Sequence, residues 1–180
     1  MNIDKKRSNM KIAVFGSAFN PPTYSHLKII EHLTGLFDKV LVVPCYSHNF
    51  GKKMIAFQDR VAMARLLVSH VNDKVEVSEI EADIFKTEIS KTYLLLKALQ
   101  RNSPEDVFVF VCGEDNGSPE NWVKFYKYDL IDKEFSKYVM PDQGMTRSTL
   151  VREKLSRGQS VIAHTKKEIV EYIEKNNIIF

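Results

Sequence analysis

The sequence predicts an α/β fold built on a doubly wound parallel sheet. Short apolar runs alternate with longer segments of helical spacing along most of the chain. The most apolar run, 107–112, lacks the polar alternation of a half-exposed strand, which predicts a central strand covered on both faces. Strands that alternate with helices imply right-handed crossovers and parallel pairing. Ligands of such sheets gather beyond the carboxyl ends of the strands, so we expect loops 16–26, 44–54 and 112–122 to share one edge.

Strands and helices are predicted in alternation, followed by a helical C-terminal part. Strands are predicted at the apolar runs 12–15, 40–43, 75–77 and 107–112. Helices are predicted at 27–37, 57–71, 89–100, 148–157 and 166–176. The segment 127–145 is charged and irregular, with one candidate strand at 137–140. The prediction is a single domain over 11–180, with a small helical subregion at 146–180 and a flexible tail at 1–10.

The composition is that of an ordinary globular domain and argues against several classes of protein. Of the 180 residues, 44% are hydrophobic and 27% are charged, and the net charge is +3. The basic residues are spread along the chain, so no nucleic-acid partner is expected. No apolar run is long enough to span a bilayer, and residues 1–10 are too polar for a signal peptide. We therefore expect no membrane partner and a cytoplasmic location.

The sequence contains neither a metal-ligand pattern nor a common phosphate-binding fingerprint. Cys45 and Cys112 lie beside apolar runs and are expected to be buried thiols in a reducing compartment. No His, Cys, Asp or Glu cluster has metal-ligand spacing, so no protein-bound metal is predicted. The absence of GxxxxGK[ST], and of GxGxxG after a strand, argues against a P-loop ATPase and a dinucleotide-dependent dehydrogenase.

The first candidate site is the turn at 16–26, between the first strand and the first helix. The start of a helix directs backbone N–H groups and the positive end of the helix dipole at one point, which suits a phosphate. Thr23 and His26 are three residues apart and share a helix face, so both could reach the same anion. Gly16 would allow the backbone to approach a ligand closely.

A second candidate site lies at 146–152. Ser148 or Thr149 can cap the predicted helix, and Arg152 lies over the same turn, where a guanidinium can hold a phosphate. A third cationic cluster, Lys52 and Lys53, falls in the loop after the second strand.

The two motifs together resemble the signatures of the nucleotidyltransferase superfamily. Residues 16–26 resemble its G-[ST]-F-[ND]-P followed by [HT]-x-x-H, and 148–152 resemble its ISSTxIR. Within that superfamily the chain is most similar to the nicotinate or nicotinamide mononucleotide adenylyltransferases, over about residues 11–177. The resemblance implies a Rossmann-like nucleotidyltransferase fold. It also implies transfer of the adenylyl group of ATP to a pyridine mononucleotide, which forms the dinucleotide of NAD biosynthesis and pyrophosphate.

The resemblance also implies a role for individual residues. His26 would contact the ATP phosphates and stabilise the transition state, with Thr23 and Arg152 beside it. Other residues expected on the ATP side are Gly16, Ser17, Phe19, Lys52, Lys53, Gly113, Asp115, Arg147, Ser148 and Thr149. Those expected on the pyridine-nucleotide side are Trp122, Tyr93 and His48. Mg²⁺ would be brought in by ATP, and formation of a homo-oligomer is left open.

Some residues depart from the family pattern and keep other functions open. Arg147 stands where Ser is usual, Ser25 replaces a common Gly, and the segment between Trp122 and Thr146 is short. The alternatives are a phosphopantetheine adenylyltransferase, a cytidylyltransferase that acts on an alcohol phosphate, and a non-catalytic nucleotide-binding regulator.

Overall fold

The computed structural model describes residues 9–47, 53–85, 91–141 and 146–180, and the statements below concern these residues. Within them one sheet contains the strands β1 (Lys11–Ser17), β2 (Lys39–Pro44), β3 (Val75–Val77), β4 (Val107–Gly113) and β5 (Ser136–Met140). Its strand order is β3-β2-β1-β4-β5, and every neighbouring pair is parallel. The prediction of a doubly wound parallel α/β sheet is confirmed.

Helices connect the strands and cover both faces of the sheet. They are α1 (Tyr24–Thr34), α2 (Phe57–Val68), α3 (Ile80–Ile84), α4 (Thr92–Asn102), α5 (Glu114–Gly117), α6 (Pro119–Trp122), α7 (Tyr128–Glu134), α8 (Ser148–Ser156) and α9 (Lys167–Lys175). None of these helices is both long and apolar enough to cross a membrane.

Two hydrophobic cores lie on opposite faces of the sheet, because alternate residues of each strand point to opposite sides. In β1, Ala13 and Phe15 belong to one core, and Ile12 and Val14 belong to the other. The first core is filled mainly by α1, α2 and α9, and the second mainly by α4 together with residues of α6 and α7. The C-terminal helix α9 therefore completes the first core.

The structure corrects the predicted boundaries of several elements. The candidate strand at 137–140 belongs to β5, a fifth strand that pairs in parallel with β4 at the edge of the sheet. The segment 127–145 is not irregular throughout, because α7 begins at Tyr128. The first helix spans Tyr24–Thr34 rather than 27–37, and His26 lies in its first turn, as expected. Of the predicted tail 1–10, residues 1–8 lie outside the described chain, and Met10 N–H donates to Asp106 Oδ1 at 3.1 Å.

The strand order fixes where a ligand is expected to bind. From β1 the chain proceeds to β2 on one side, and β4 then pairs with the other side of β1. The connections that leave the carboxyl ends of these two strands diverge, and such a switch point opens a crevice in doubly wound sheets. The loop after β1 and the loop after β4, which contain residues predicted on the ATP side, flank this crevice.

A cavity of about 870 Å³ lies at the opposite, amino end of the strands. Its lining includes Lys39 and four carboxylates, Glu76, Glu79, Asp83 and Asp106. Because carboxylates repel phosphates, this cavity is a poor site for a nucleotide. The crevice at the carboxyl end is the better candidate.

Candidate active site

His26 lies in the first turn of α1 with both ring nitrogens engaged. Nδ1 is 3.1 Å from the backbone nitrogen of Thr23 and 2.8 Å from Thr23 Oγ1, and Nε2 is 3.1 Å from Ser17 Oγ. The Thr23 backbone N–H can only donate, so Nδ1 is the acceptor and Nε2 bears the proton. His26 thus occupies the third position of a capping box, which Glu or Gln usually fills.

The surroundings of His26 keep the ring neutral and hold it in place. Burial lowers the pKa of His26 to about 4, because desolvation disfavours the charged imidazolium. The Phe19 ring lies 4.8 Å from the imidazole between ring centroids. A neutral ring with a fixed tautomer presents one N–H donor, Nε2–H, on the side of Ser17. A phosphate oxygen could accept a hydrogen bond from this N–H group.

Thr23 lies behind His26. Its side chain is fully buried, and its hydroxyl is within hydrogen-bond distance of His26 Nδ1 and of the Thr146 carbonyl, at 2.8 and 3.3 Å. The hydroxyl therefore has two acceptors within the protein, and its contact with a phosphate stays a prediction. The N–H of Tyr24 is also used within the protein, since it donates to the His164 carbonyl at 2.9 Å.

Gly16 and Phe19 shape the turn before α1. A Cβ added to Gly16 would meet its nearest atom, the Val43 carbonyl oxygen, at 3.9 Å, which is an ordinary contact. The protein itself has room for a side chain there, so a requirement for glycine would come from a ligand. Phe19 has a positive φ of 48° and is fully buried, so its side chain supports His26 rather than facing a ligand.

The second signature is docked on the first. Ser148 Oγ donates to the Pro21 carbonyl at 2.8 Å, and Arg152 Nη1 donates to the Asn20 carbonyl at 2.7 Å. Arg152 Nη2 also donates to Thr149 Oγ1 at 3.1 Å. The bonds to Pro21 and Asn20 join residues more than 120 positions apart in the chain, and they bring the start of α8 to the turn that precedes α1. Two helix amino ends, each with a positive dipole, therefore meet beside His26.

Arg147 and Asp115 form an ion pair across the outer part of the site. Arg147 Nη2 is 3.1 Å from Asp115 Oδ2, and both side chains are 75% exposed. Arg147, rather than Ser148, is the N-cap residue of α8, and its side chain makes no capping bond. Gly113 precedes Asp115 at the end of β4, and a Cβ added to it would meet no atom within 4 Å. The site thus contains an accessible cation and carboxylate beside an open backbone.

The remaining predicted residues divide into two groups. Lys53 is exposed before α2, and Lys52 and His48 lie outside the described residues. Trp122 and Tyr93 are buried, at 3% and 8% exposure.

Trp122 and Tyr93, which were predicted on the pyridine-nucleotide side, both pack against other residues of the protein. The indole of Trp122 stacks on Phe110 with ring centroids 6.2 Å apart, Lys137 Nζ lies 4.1 Å from its ring centroid, and its Nε1 donates to Asp132. The hydroxyl of Tyr93 donates to Glu134 Oε1 at 3.1 Å. Both rings fill the core beside β4, so neither offers a free face.

Two residues that support the site were not selected from the sequence. Asn20 is 1% exposed, its carbonyl accepts from Arg152, and its Oδ1 accepts from Ile55 N–H. Arg60 is also 1% exposed and donates to carbonyls near the carboxyl ends of β1 and β2. The sequence signal for Arg60 is a charged residue inside the apolar pattern of α2. An unpaired charge is almost never buried, so an arginine at such a position is expected to have partners within the protein.

The described residues contain no group of three or more His, Cys, Asp and Glu that could hold a metal ion. Cys45 and Cys112 are both unbridged. Burial raises the pKa of each thiol to about 11. They are therefore protonated at neutral pH and unsuited to act as nucleophiles.

The fold and the site define the class of protein: an α/β protein with a doubly wound parallel sheet that places a neutral histidine and an arginine at its switch point. Comparison with known proteins places it more closely: the chain belongs to the cytidylyltransferase-like family, whose model matches residues 14–154.

Several relatives that match most of this chain share a name. A protein of Anaeromyxobacter sp. (strain K), named probable nicotinate-nucleotide adenylyltransferase, is 27% identical over 93% of this chain and 96% of its own. A protein of Myxococcus xanthus with the same name is 28% identical over 86% of each chain. A crystal structure from Vibrio parahaemolyticus, also described as a nicotinate-nucleotide adenylyltransferase, has a TM-score of 0.78 at 31% identity and covers 92% of each chain. The Plasmodium falciparum nicotinic acid mononucleotide adenylyltransferase complexed with NaAD shares the fold, with a TM-score of 0.73 at 21% identity over 93% of this chain and 96% of its own.

Proposed function

We propose that this protein joins the adenylyl group of ATP to nicotinate mononucleotide or its amide, releasing pyrophosphate. The observation that carries the proposal is the docking of Arg152 and α8 on the turn that presents His26. The names of the relatives favour nicotinate mononucleotide as the first acceptor to test. The product is a dinucleotide of NAD biosynthesis, and we expect the reaction to take place in the cytoplasm.

The chemistry of the transfer fits the residue types at the site. An oxygen of the acceptor phosphate attacks the α-phosphorus of ATP, a new P–O bond forms, and the bond to the β-phosphate oxygen breaks. The acceptor phosphate is already anionic near neutral pH, so no side chain has to remove a proton. Catalysis then consists of aligning the two phosphates and stabilising the charge that develops on them.

His26 has the properties of a donor for that developing charge. Its neutral ring carries the proton on Nε2, and Thr23 and Ser17 fix its orientation. A phosphate oxygen that takes the place of Ser17 Oγ would receive a preorganised hydrogen bond. Donors of this kind contribute most when the reacting group gains charge in the transition state.

Other residues are proposed to bind the two nucleotides. Arg152 and the amino end of α8, at Ser148 and Thr149, would hold the β- and γ-phosphates. Arg147 can reach the same phosphates if it leaves Asp115, and Asp115 would then be available for a ribose hydroxyl. Additional positive charge would come from Lys52 and Lys53, and the open backbone at Gly16, Ser17 and Gly113 would allow close approach of a ligand. His48 is retained as a candidate contact to the acceptor phosphate.

We propose that Mg²⁺ arrives with the nucleotide. Mg²⁺ keeps several water ligands and is commonly held through substrate phosphates rather than by a cage of protein side chains. The ion would shield the charge of the phosphates, and Arg152 and His26 would act on oxygens that remain exposed.

The test measures pyrophosphate release with each pairing of donor and acceptor. The purified protein is incubated with Mg²⁺ and either ATP or CTP, together with nicotinate mononucleotide, nicotinamide mononucleotide or phosphopantetheine. We expect release with ATP and a pyridine mononucleotide, and formation of the matching dinucleotide. Release only with phosphopantetheine or only with CTP would replace the proposal by one of the sibling reactions. Nucleotide binding without release from any pair would indicate a non-catalytic regulator.

A further inference from the structure

The guanidinium of Arg60 joins loops that lie far apart in the sequence. Arg60 Nη1 donates to the carbonyls of Ala18, just after β1, and Cys45, just after β2, at 2.9 and 2.7 Å. Nη2 donates to the Tyr46 carbonyl at 3.4 Å, and Nε donates to the Ile55 carbonyl, just before α2, at 3.2 Å. One planar fork therefore satisfies four backbone acceptors at the carboxyl edge of the sheet.

A second buried charge holds the same peptide from the other side. Glu81 is 4% exposed, and its Oε2 accepts from the N–H of Tyr46 at 2.7 Å. The N–H and the carbonyl of Tyr46 are thus both bound by buried ionic side chains. Burial lowers the pKa of the Arg60 guanidinium, and the nearby Glu81 carboxylate opposes this shift. Two charged side chains are costly to bury, which argues that together they hold one particular arrangement of the backbone.

We propose that Arg60 is a positioning residue for the nucleotide site. Its hydrogen bonds hold the loop after β1 against the loop that begins after β2, and this set of bonds, called the lock below, preorganises the site. The first loop leads to Phe19 and His26, and the second loop contains Lys53, which is predicted on the ATP side. This inference rests on the function proposed above. If the lock opens, only a fraction of the molecules is competent to bind ATP, and the apparent dissociation constant rises by the inverse of that fraction. Molecules that have bound ATP react at nearly the normal rate.

The test replaces Arg60 with lysine, which keeps the positive charge beside Glu81. An ammonium is a compact group and cannot span the four carbonyls that the guanidinium reaches. In Arg60→Lys we expect the KM for ATP to rise at least fivefold and kcat to stay within about twofold. Arg65→Lys is the matched control, because Arg65 lies on the same helix but is exposed and paired with Glu79. That variant should match the wild type in both constants.

Amide hydrogen exchange tests the lock without relying on catalysis. In the wild type, the amides of Tyr46 and Ile55 should be protected, and Arg60→Lys should speed their exchange at least tenfold while the amides of β1 and β4 change little. Unprotected amides in the wild type would overturn the proposal. An unchanged KM in Arg60→Lys, or exchange that increases equally throughout the sheet, would also overturn it.

Binding of α,β-methylene-ATP, which resists adenylyl transfer, separates this inference from the proposed reaction. If no acceptor supports pyrophosphate release, the reaction proposed above fails. The lock is still supported if Arg60→Lys weakens binding of the analogue at least fivefold, and it is contradicted if the affinity is unchanged.

Discussion

At the scale of single residues, the geometry around His26 separates its two tasks. Nδ1 caps α1 by accepting from Thr23 N–H, and Nε2 carries the proton that faces Ser17. Glutamine, like glutamate, is a usual residue at this position, the third of the helix, in a capping box. His26→Gln can therefore keep the cap while it removes the imidazole donor.

We expect His26→Gln and His26→Ala to lower kcat by about a hundredfold or more, the usual cost of losing one preorganised transition-state donor. His26→Ala should in addition lose about 1 kcal/mol of stability with the cap, whereas His26→Gln should unfold close to the wild-type midpoint. Steady-state kinetics and urea unfolding of the three proteins provide the comparison. A correctly folded His26→Ala with near-normal turnover would remove His26 from the mechanism.

The residues also show where sequence reasoning reached its limit. His26 and Arg152 could be selected because fixed spacings, T-x-x-H and S-T-x-x-R, put them at helix starts. The inward position of Thr23 could not, because it depends on the Thr146 carbonyl, which only the folded chain brings within 3.3 Å. Trp122 is of a residue type that often stacks on ligand rings, but Phe110 and Lys137 lie against the faces of its indole. Spacing predicts local position, and contacts across the fold decide what a side chain faces.

At the scale of elements, α8 is attached to the turn before α1 by side chains. Arg152 combines this attachment with its proposed role in holding ATP, since two of its five N–H donors bind Asn20 and Thr149. The guanidinium can present further N–H groups to a phosphate. Loss of this side chain should therefore affect ATP more than the acceptor.

For Arg152→Ala we expect the KM for ATP to rise at least tenfold, with a smaller effect on the KM for the acceptor, because a charge-assisted phosphate contact is lost. Arg157→Ala is the control, since Arg157 is exposed at the end of the same helix. Initial rates with each substrate varied in turn provide the measurement. If ATP affinity and rate in Arg152→Ala equal those of the control, Arg152 does not hold the phosphates.

The elements themselves were predictable to different degrees. β1, β2 and β4 follow from continuous apolar runs, because central parallel strands are covered on both faces. The edge strand β5 alternates exposed and buried residues only weakly, and the short helix α7 has too few turns for a clear periodicity. Both elements depend on packing against β4 and α4 more than on their own sequence.

At the scale of the whole molecule, the neutral state of His26 links the active site to global stability. Burial lowers the pKa of His26 to about 4 in the folded protein, compared with roughly 6.5 in an unfolded chain. Between these values the unfolded state binds a proton that the folded state does not, so falling pH favours unfolding. The stability gained from a neutral His26 is therefore complete above about pH 6.5 and is lost as the pH falls towards 4.

This linkage predicts that the wild type loses roughly 1–2 kcal/mol more of its unfolding free energy between pH 7 and pH 5 than His26→Gln does. The difference arises because glutamine has no proton to gain in this range, while all other titrating groups are shared by the two proteins. Urea unfolding of both proteins at the two pH values measures it. Equal losses would mean that His26 titrates normally in the folded protein, and burial would then not be what keeps its ring neutral below about pH 6.5.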